Sequence, residues 1–409
     1  MTSNFFIITF FIRIVKELVN HILNSISKEI SSEVVYWDGE RIKFGQGKPL
    51  FRIHIKSPQV LKDLMQDLSI GFGENYMNNN IVVEGDLQRL LGIGVNLTPQ
   101  RLNLPNKTKL RILINHIATL NSLRNIGRNI AHHYDLGNDL YQLMLDKNMT
   151  YSCAYFKTPR DSLEEAQNNK HQLICRKINL QDGDRLIDIG CGWGSFLVYA
   201  AKKFDITAVG CTLSHNQYEY AKKWVKKEGL EKKVSIFLED YRRMSGRFNK
   251  FVSIGMYEHV GKNYASTFFR KVKSLLTDDS IGILHTIGYN NRHPTDPWLK
   301  KYIFPGGYLP ALPEVLEHMT REGFYIIDVE NLRPHYAKTL DEWIKRFESN
   351  IDKIKAMFGQ KFINMWRLYL NGAAAGFKYG ETNVYQILFL NNLQKLTPFY
   401  RQNIYKNWE

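Results

Sequence analysis

The sequence holds only four cysteines, Cys153, Cys175, Cys191 and Cys211, and no two of them form a Cys-x-x-Cys pair. That leaves no basis for a zinc cluster or a disulfide framework, and a reducing cytoplasm is the simplest compartment. Long apolar runs are missing as well. None reaches the roughly 18–20 residues that a transmembrane helix needs. The apolar stretch 5–12 is followed, not preceded, by Arg13 and Lys16, and no small-residue cleavage site follows it. It is therefore a poor match to a secretory signal. Acidic residues are in the minority: the net charge is +15 and the pI about 9.4. This basic balance is diffuse, and it points to an anionic partner, either nucleic acid or a membrane surface. No RNA- or DNA-binding motif accompanies it. With 409 residues, 44% of them hydrophobic, the chain has the length of two or three soluble domains.

What is present is organised around Arg185-Leu-Ile-Asp-Ile-Gly-Cys-Gly-Trp-Gly-Ser195. Leu186, Ile187 and Ile189 read as a short buried parallel strand. Gly190, Gly192 and Gly194 follow, and then an amphipathic helix over 196–203. Strand, glycine turn and helix let a ligand touch backbone at a helix N-terminus. The spacing is Asp-x-Gly-x-Gly-x-Gly, not the dinucleotide fingerprint. The next strand, 206–210, runs into Cys211-Thr212-Leu213 without the carboxylate that NAD requires. Asp188 suits an ammonium group and the glycines a passing sulfonium and ribose, which together indicate S-adenosylmethionine. A plain tight turn is the bland alternative.

Taken in order, residues 5–30 read as a helix, either core or interfacial. Strands at 34–37, 41–44, 51–55 and 81–84, with a hairpin at Asp38-Gly39-Glu40 and a helix at 60–67, make a small α+β domain over 1–100. Residues 101–130 read as a linker with a basic helix. From Leu163 helices and strands alternate: helices at 163–178, 195–203, 215–228 and 264–276, and strands at 185–189, 206–210, 234–238, 251–255 and 281–287. This predicts a doubly wound parallel sheet within a catalytic domain over 131–409. Ligands of such sheets sit beyond the carboxyl ends of the strands. That rule selects Gly190–Gly194, Thr212–Gln217, Glu239-Asp240-Tyr241, Met256–His259 and His285–Ile287. Lys222, Lys223, Lys226, Lys227, Lys232 and Lys233 form either a solvated face or a contact for anionic lipid. The irregular, aromatic stretch 289–312 reads as a lid or substrate wall. From Leu340 onward the pattern is mostly helical.

Six motifs together resemble the cyclopropane-fatty-acyl-phospholipid synthases, a group that includes the mycolic acid cyclopropane synthases. They are Asp188-Ile-Gly-Cys-Gly-Trp-Gly194, Thr150-Tyr-Ser-Cys-Ala-Tyr155, Ile254-Gly-Met-Tyr-Glu-His-Val260, Leu284-His-Thr-Ile287, Phe304-Pro-Gly-Gly307 and His335-Tyr-Ala-Lys-Thr-Leu340. The resemblance runs from about 125 to 395 and is weaker in the N-terminal domain. It implies an α/β fold, with a Rossmann-like S-adenosylmethionine-dependent methyltransferase domain and a smaller N-terminal α+β domain serving the membrane or dimer formation. It also implies methylene transfer from S-adenosylmethionine to the cis double bond of an unsaturated phospholipid acyl chain, with bicarbonate as base. A methyltransferase giving a branched or N-methyl product is the alternative.

On this resemblance, the bicarbonate holders map to Cys153, Glu258, His285, Tyr336 and the backbone at Ile287. The cofactor contacts map to Tyr151, Ser152, Gly190, Gly192, Thr212, Leu213, Gln217 and Tyr241. Gly194 completes the turn, Asp188 fits the methionine end, and Gln217 or Asp240 the nucleoside end. Tyr134 is placed at the acyl site. Many members carry a cysteine where this chain has Ala373, so no nucleophile or base stands there. The expected setting is the inner face of a membrane, bound peripherally from the cytoplasm with a preference for anionic lipid, as a monomer or homodimer, without nucleic acid.

Overall fold

The computed structural model describes residues 16–17, 19–95, 137–393 and 401–406. The apolar stretch 5–15, the basic segment 101–130 and Tyr134 lie outside the described residues. Two compact units are formed. One comprises Met1–Ile130, Asp296–Pro305 and Glu348–Gly380; the other comprises Ala131–Thr295, Gly306–Phe347 and Glu381–Glu409. The first unit therefore adds two later segments to the α+β module that the sequence indicates. One of these segments comes from inside the 289–312 stretch.

The first unit has a four-stranded sheet in the order β2-β1-β3-β4. Its strands are β1 (Ser32–Val35), β2 (Arg41–Phe44), β3 (Phe51–Ile55) and β4 (Ile81–Gly85). In β3, Phe51, Ile53 and Ile55 point inward. Outward-facing Arg52 stands in register between Glu33 and Glu84 and bonds both, at 2.5 and 2.9 Å. Helix Pro58–Gln66 begins on a proline, and Asp67 caps the next helix, Leu68–Met77, by accepting from Ile70 N. The sequence reading passes over this second helix, because Gly71 and Gly73 lower its propensity. Tertiary contact needs both glycines bare. A Cβ on Gly73 would lie 2.1 Å from Trp298 Cδ1, and one on Gly71 would lie 2.4 Å from the Asp63 carbonyl. The later helix Ile351–Lys378 breaks at Gly359, and its Asn364 amide donates to the carbonyls of Tyr76 and Met77 at 3.3 and 3.2 Å. Those are carbonyls of the last helical turn, to which no i+4 N–H of the helix is available.

The second unit is built on seven strands in the order β10-β11-β9-β8-β5-β6-β7. They are β5 (Arg185–Ile189), β6 (Thr207–Thr212), β7 (Val234–Leu238), β8 (Phe248–Ile254), β9 (Leu276–Gly288), β10 (Tyr325–Asn331) and β11 (Asn383–Leu390). Strands β5 to β9 are parallel, while β11 runs antiparallel to both β9 and β10. The sheet is thus mixed, where the sequence predicts a parallel one. All eight residues of β11 are buried. A short run covered on both faces carries no alternation to separate it from a buried helix, so it merges into the helical pattern after Leu340.

Leu186 packs into one apolar layer with Phe196, Leu197 and Val252, while Ile187 and Ile189 pack into the other with Phe251, Phe268 and Phe269. Covering on both faces is what makes β5 an unbroken apolar run. From β5 the chain winds outward to β6 and β7; from its neighbour β8 it winds the other way to β9. The carboxyl ends of β5 and β8 therefore flank the switch point of the sheet, where α/β proteins bind ligands. The antiparallel insertion can be tested at Gly282, whose Cβ would meet Phe389 Cζ at 2.5 Å across the β9–β11 pair. Gly282→Val should cost about 1–3 kcal/mol, as overpacking does, read as a lowered urea midpoint.

Candidate active site

The turn after β5 uses its three glycines for two different ends. All have positive φ: 84° at Gly190, 56° at Gly192 and 84° at Gly194. The N–H groups of Gly190 and Cys191 both donate to the Cys211 carbonyl at 3.0 Å, which locks the turn to β6. A Cβ on Gly190 would lie 2.5 Å from Met256 in the β8 loop, and one on Gly194 would lie 3.2 Å from Ala221. At Gly192 it would meet nothing within 4 Å. Gly190 and Gly194 thus serve packing, and Gly192 borders open space.

Below this turn lies a buried charge. Asp188 is pushed up to about 7 by burial, against the pull of Lys170, and its Oδ1 has no partner among the described residues. Lys170 is wholly buried, and burial brings it down to about 8 while Asp146, Cys153 and Asp188 oppose that fall. Its Nζ donates to Ser152 Oγ at 2.8 Å. From the same helix, Leu163–Lys177, Gln167 donates to the Ser152 carbonyl at 2.9 Å. The helix so fixes the segment carrying Tyr151, Ser152 and Cys153. Sequence reasoning missed Lys170. The available signal was a lysine on the stripe that Ala166, Gln167, Leu173 and Ile174 bury, a place where an unpaired lysine is almost never found.

Beyond β6 and β7 an open cleft of about 490 Å³ is lined by Leu213, His215, Leu238, Glu239, Asp240, Arg242 and Arg243. Leu213 is 74% exposed. Thr212 Oγ1 donates to Gln217 Oε1 at 2.8 Å, which turns the NH2 end of that amide away from Thr212. Asp240 is gripped by the Arg242 guanidinium through two bonds of 2.9 and 2.7 Å, and this holds its carboxyl below the usual range. Tyr241 packs edge-on against Phe268 at 5.3 Å.

The third group lies at the ends of β8 and β9. Glu258 sits in the turn Tyr257–His259 and is buried. Its Oε1 accepts from Ile287 N at 2.6 Å, while Oε2 has no partner among the described residues. Burial pushes its carboxyl up to about 7 although the Ile287 N–H lowers it. The backbone at Ile287 thus gives its N–H to Glu258. Buried His285 approaches Gln386 Nε2 through Nδ1 at 3.2 Å, and its Nε2 has no partner among the described residues. Burial, helped by Lys170 and Lys177, holds the ring well below its ordinary pKa, so it is neutral.

Cys153 is buried, and burial pushes its thiol far above the ordinary range; its Sγ lies 3.9 Å from the Leu332 carbonyl. Leu332 immediately precedes the helix Arg333–Ser349, which carries Tyr336. An aromatic wall joins these segments. Tyr336 meets Trp343 edge-on at 6.0 Å, Trp343 stacks on Tyr151 at 5.0 Å, and Tyr141 bridges Tyr151 and Trp193 at 5.2 and 4.8 Å. Lys170 is the common neighbour: its charge acts on Asp188, Cys153 and His285.

A family model described as mycolic acid cyclopropane synthetase matches residues 121–387, well over half of the chain. The chain belongs to the mycolic acid cyclopropane synthetase family. Residues 18–102 match a second model, described only as a domain of unknown function. A probable fatty acid methyltransferase of Pseudomonas putida is 35% identical over 365 residues, covering 86% of this chain and 90% of that protein. The cyclopropane-fatty-acyl-phospholipid synthase of Escherichia coli K12 is 36% identical over 345 residues, covering 84% and 88%. Among solved structures, the cyclopropane synthase MmaA2 from Mycobacterium tuberculosis superposes with a TM-score of 0.62 at 32% identity, over 64% of this chain and 96% of that one. The resemblance in the motifs and the methyltransferase fold thus both hold, and this member of the cyclopropane synthetase family is an S-adenosylmethionine-dependent enzyme.

The glycine turn separates packing from binding. Gly192→Val should weaken S-adenosylmethionine binding at least 10-fold by calorimetry, with some loss of melting temperature because valine is strained at a φ of 56°. Gly190→Val should lower the melting temperature as well, because its side chain strikes Met256.

Proposed function

We propose that this enzyme transfers a methylene unit from S-adenosylmethionine to the cis double bond of an unsaturated phospholipid acyl chain, closing a cyclopropane ring, with bicarbonate as the base. The observation that carries the reading is a pair of buried atoms by adjacent strand ends, Glu258 Oε2 and His285 Nε2, neither with a hydrogen-bond partner among the described residues. The names of the Escherichia coli and Mycobacterium tuberculosis relatives support the product.

The residues present fit both groups. Space at Gly192 and the orphan Asp188 Oδ1 suit the cofactor's backbone approach and its ammonium, with Thr212, Gln217 and the cleft by Asp240 for the nucleoside. S-adenosylmethionine supplies an electrophilic methyl group when bound, and bicarbonate supplies a proton acceptor. Burial raises the Glu258 carboxyl to about 7, which brings its proton within reach near neutral pH, so Oε2 can donate to an anion or take a proton from it. Neutral His285 and the high-pKa Cys153 thiol offer further uncharged donors, and the Lys170 field favours an anion among them. Tyr151, Trp343 and Tyr336 keep water out and present ring faces to positive charge. Ala373 offers no thiol, so the proton acceptor lies elsewhere. A methyl-branched product is the second reading, favoured by the name of the Pseudomonas putida relative. Mass analysis separates the two, because a ring adds one CH2 and a saturated branch adds two further hydrogens.

The substrate reading places the enzyme against a bilayer. Among the described residues no helix is long and apolar enough to cross a membrane. Lys222, Lys223, Lys226, Lys227 and Lys232 are exposed on and just after helix His215–Lys227. Binding to vesicles of unsaturated phospholipid should strengthen with anionic lipid and weaken at high salt; retention that ignores salt would oppose this. For the chemistry, Glu258→Gln should lower turnover roughly 10²-fold or more with little change in cofactor affinity. Removing bicarbonate should slow the wild type, and adding it back should restore the rate. Full activity in Glu258→Gln together with indifference to bicarbonate would reject the assigned base.

A further inference from the structure

A buried ion pair usually costs more than apolar side chains of similar volume in the same place. A pair with its lysine fully buried and its carboxylate partly buried nevertheless lies behind His285. Across three adjacent strands, His285 of β9 stands opposite Gln386 of β11, and Gln386 stands opposite Glu330 of β10. Lys177, the last residue of helix Leu163–Lys177, reaches this row. Its ammonium contacts the Glu330 carboxylate and donates to Gln386 Oε1 at 2.8 Å. Gln386 Nε2 then lies 3.2 Å from His285 Nδ1. Lys177, Gln386 and His285 are all within 2% of complete burial.

The direction of every bond in this row follows from its charged end. An ammonium held against a carboxylate only donates, so Gln386 presents its oxygen to Lys177 and its NH2 to His285. An amide NH2 only donates, so Nδ1 accepts and carries no hydrogen. The proton of the neutral ring is then on Nε2, the atom without a partner among the described residues. The opposite tautomer would set N–H against N–H in a dry interior.

We propose that Glu330, Lys177 and Gln386 form a positioning relay that holds His285 as the neutral Nε2–H tautomer, with that hydrogen available as a donor to an anion beside Glu258. The use of the donor rests on the reading of the reaction given above; the tautomer does not. None of the three relay residues touches the reacting groups. They act through the imidazole, as the outer partner of a functional histidine commonly does.

Nitrogen-15 NMR of the histidine-labelled full-length enzyme, with His285→Gln to assign the signals, reads the tautomer directly. A bare Nδ1 and a protonated Nε2 are expected in the wild type. In Gln386→Glu the new carboxylate accepts instead of donating, so the proton should move to Nδ1. The kcat should then fall roughly 10-fold or more, while the KM for S-adenosylmethionine stays the same. Lys177→Arg keeps a donor facing Gln386 and should retain the wild-type tautomer. A proton on Nδ1 in the wild type overturns the proposal, even if the variants fail to fold. A Gln386→Glu enzyme with the shifted tautomer and full kcat also overturns it. If the wild type shows the Nε2–H tautomer but makes no cyclopropane or branched product, the relay stands and the reading of the reaction falls.

Discussion

A lysine ammonium sealed from water is the constraint around which the site is arranged. Removing one such charge from water costs several kcal/mol even after relaxation, and Lys170 recovers this through Ser152 and the fields of Asp146 and Asp188. The balance is not complete, since Lys170 stays below and Asp188 above its ordinary pKa. Both therefore remain responsive to a charged visitor. A cationic ligand by Asp188 would favour its ionised form, and an anion near Cys153 and His285 would favour the protonated lysine. One buried cation thus ties together the two halves of the site that the two proposed groups would occupy.

The sheet makes this possible by bringing loops together at one end. Its switch point brings the β5 and β8 loops close enough for Met256 to cover Gly190, while Gly192 is left facing open space. Glu258 is held by the Ile287 N–H from the neighbouring strand end, so its orientation depends on backbone, not on a flexible side chain. Two rigid strand ends and one helix-pinned segment therefore converge without needing a long, specialised loop.

Much of this was legible in the residues. Strand β5, its glycines and the helix after them carry strong local signals, because burial on both faces and positive φ each restrict residue type. The rule that ligands lie at strand carboxyl ends then located Glu258, His285, Thr212 and Asp240 without any contact map. What stayed hidden depends on register and tertiary partners. Strand β11 has no alternation, and helix Leu68–Met77 carries two glycines that only its neighbours explain. The bond from the Ile287 N–H to Glu258 joins two segments nearly thirty residues apart and has no local mark. Gln386 and Lys177 look like ordinary polar residues until three strands are laid side by side. The grouping of Asp296–Pro305 and Glu348–Gly380 with the first unit likewise has no local mark.

The late position of β11 sets an order of events during synthesis. Strands β5 to β10 leave the ribosome before residues 383–390, yet β10 reaches the sheet only through β11. Until then β9 is an exposed edge, a surface that invites pairing with the wrong chain. The contacts that close it join residues about one hundred positions apart, and such long-range pairing is slow. The nascent enzyme therefore passes through a stage in which its glycine turn and Glu258 have been made but His285 is paired with β8 alone. Completion of the pocket around His285 therefore waits on residues 383–390.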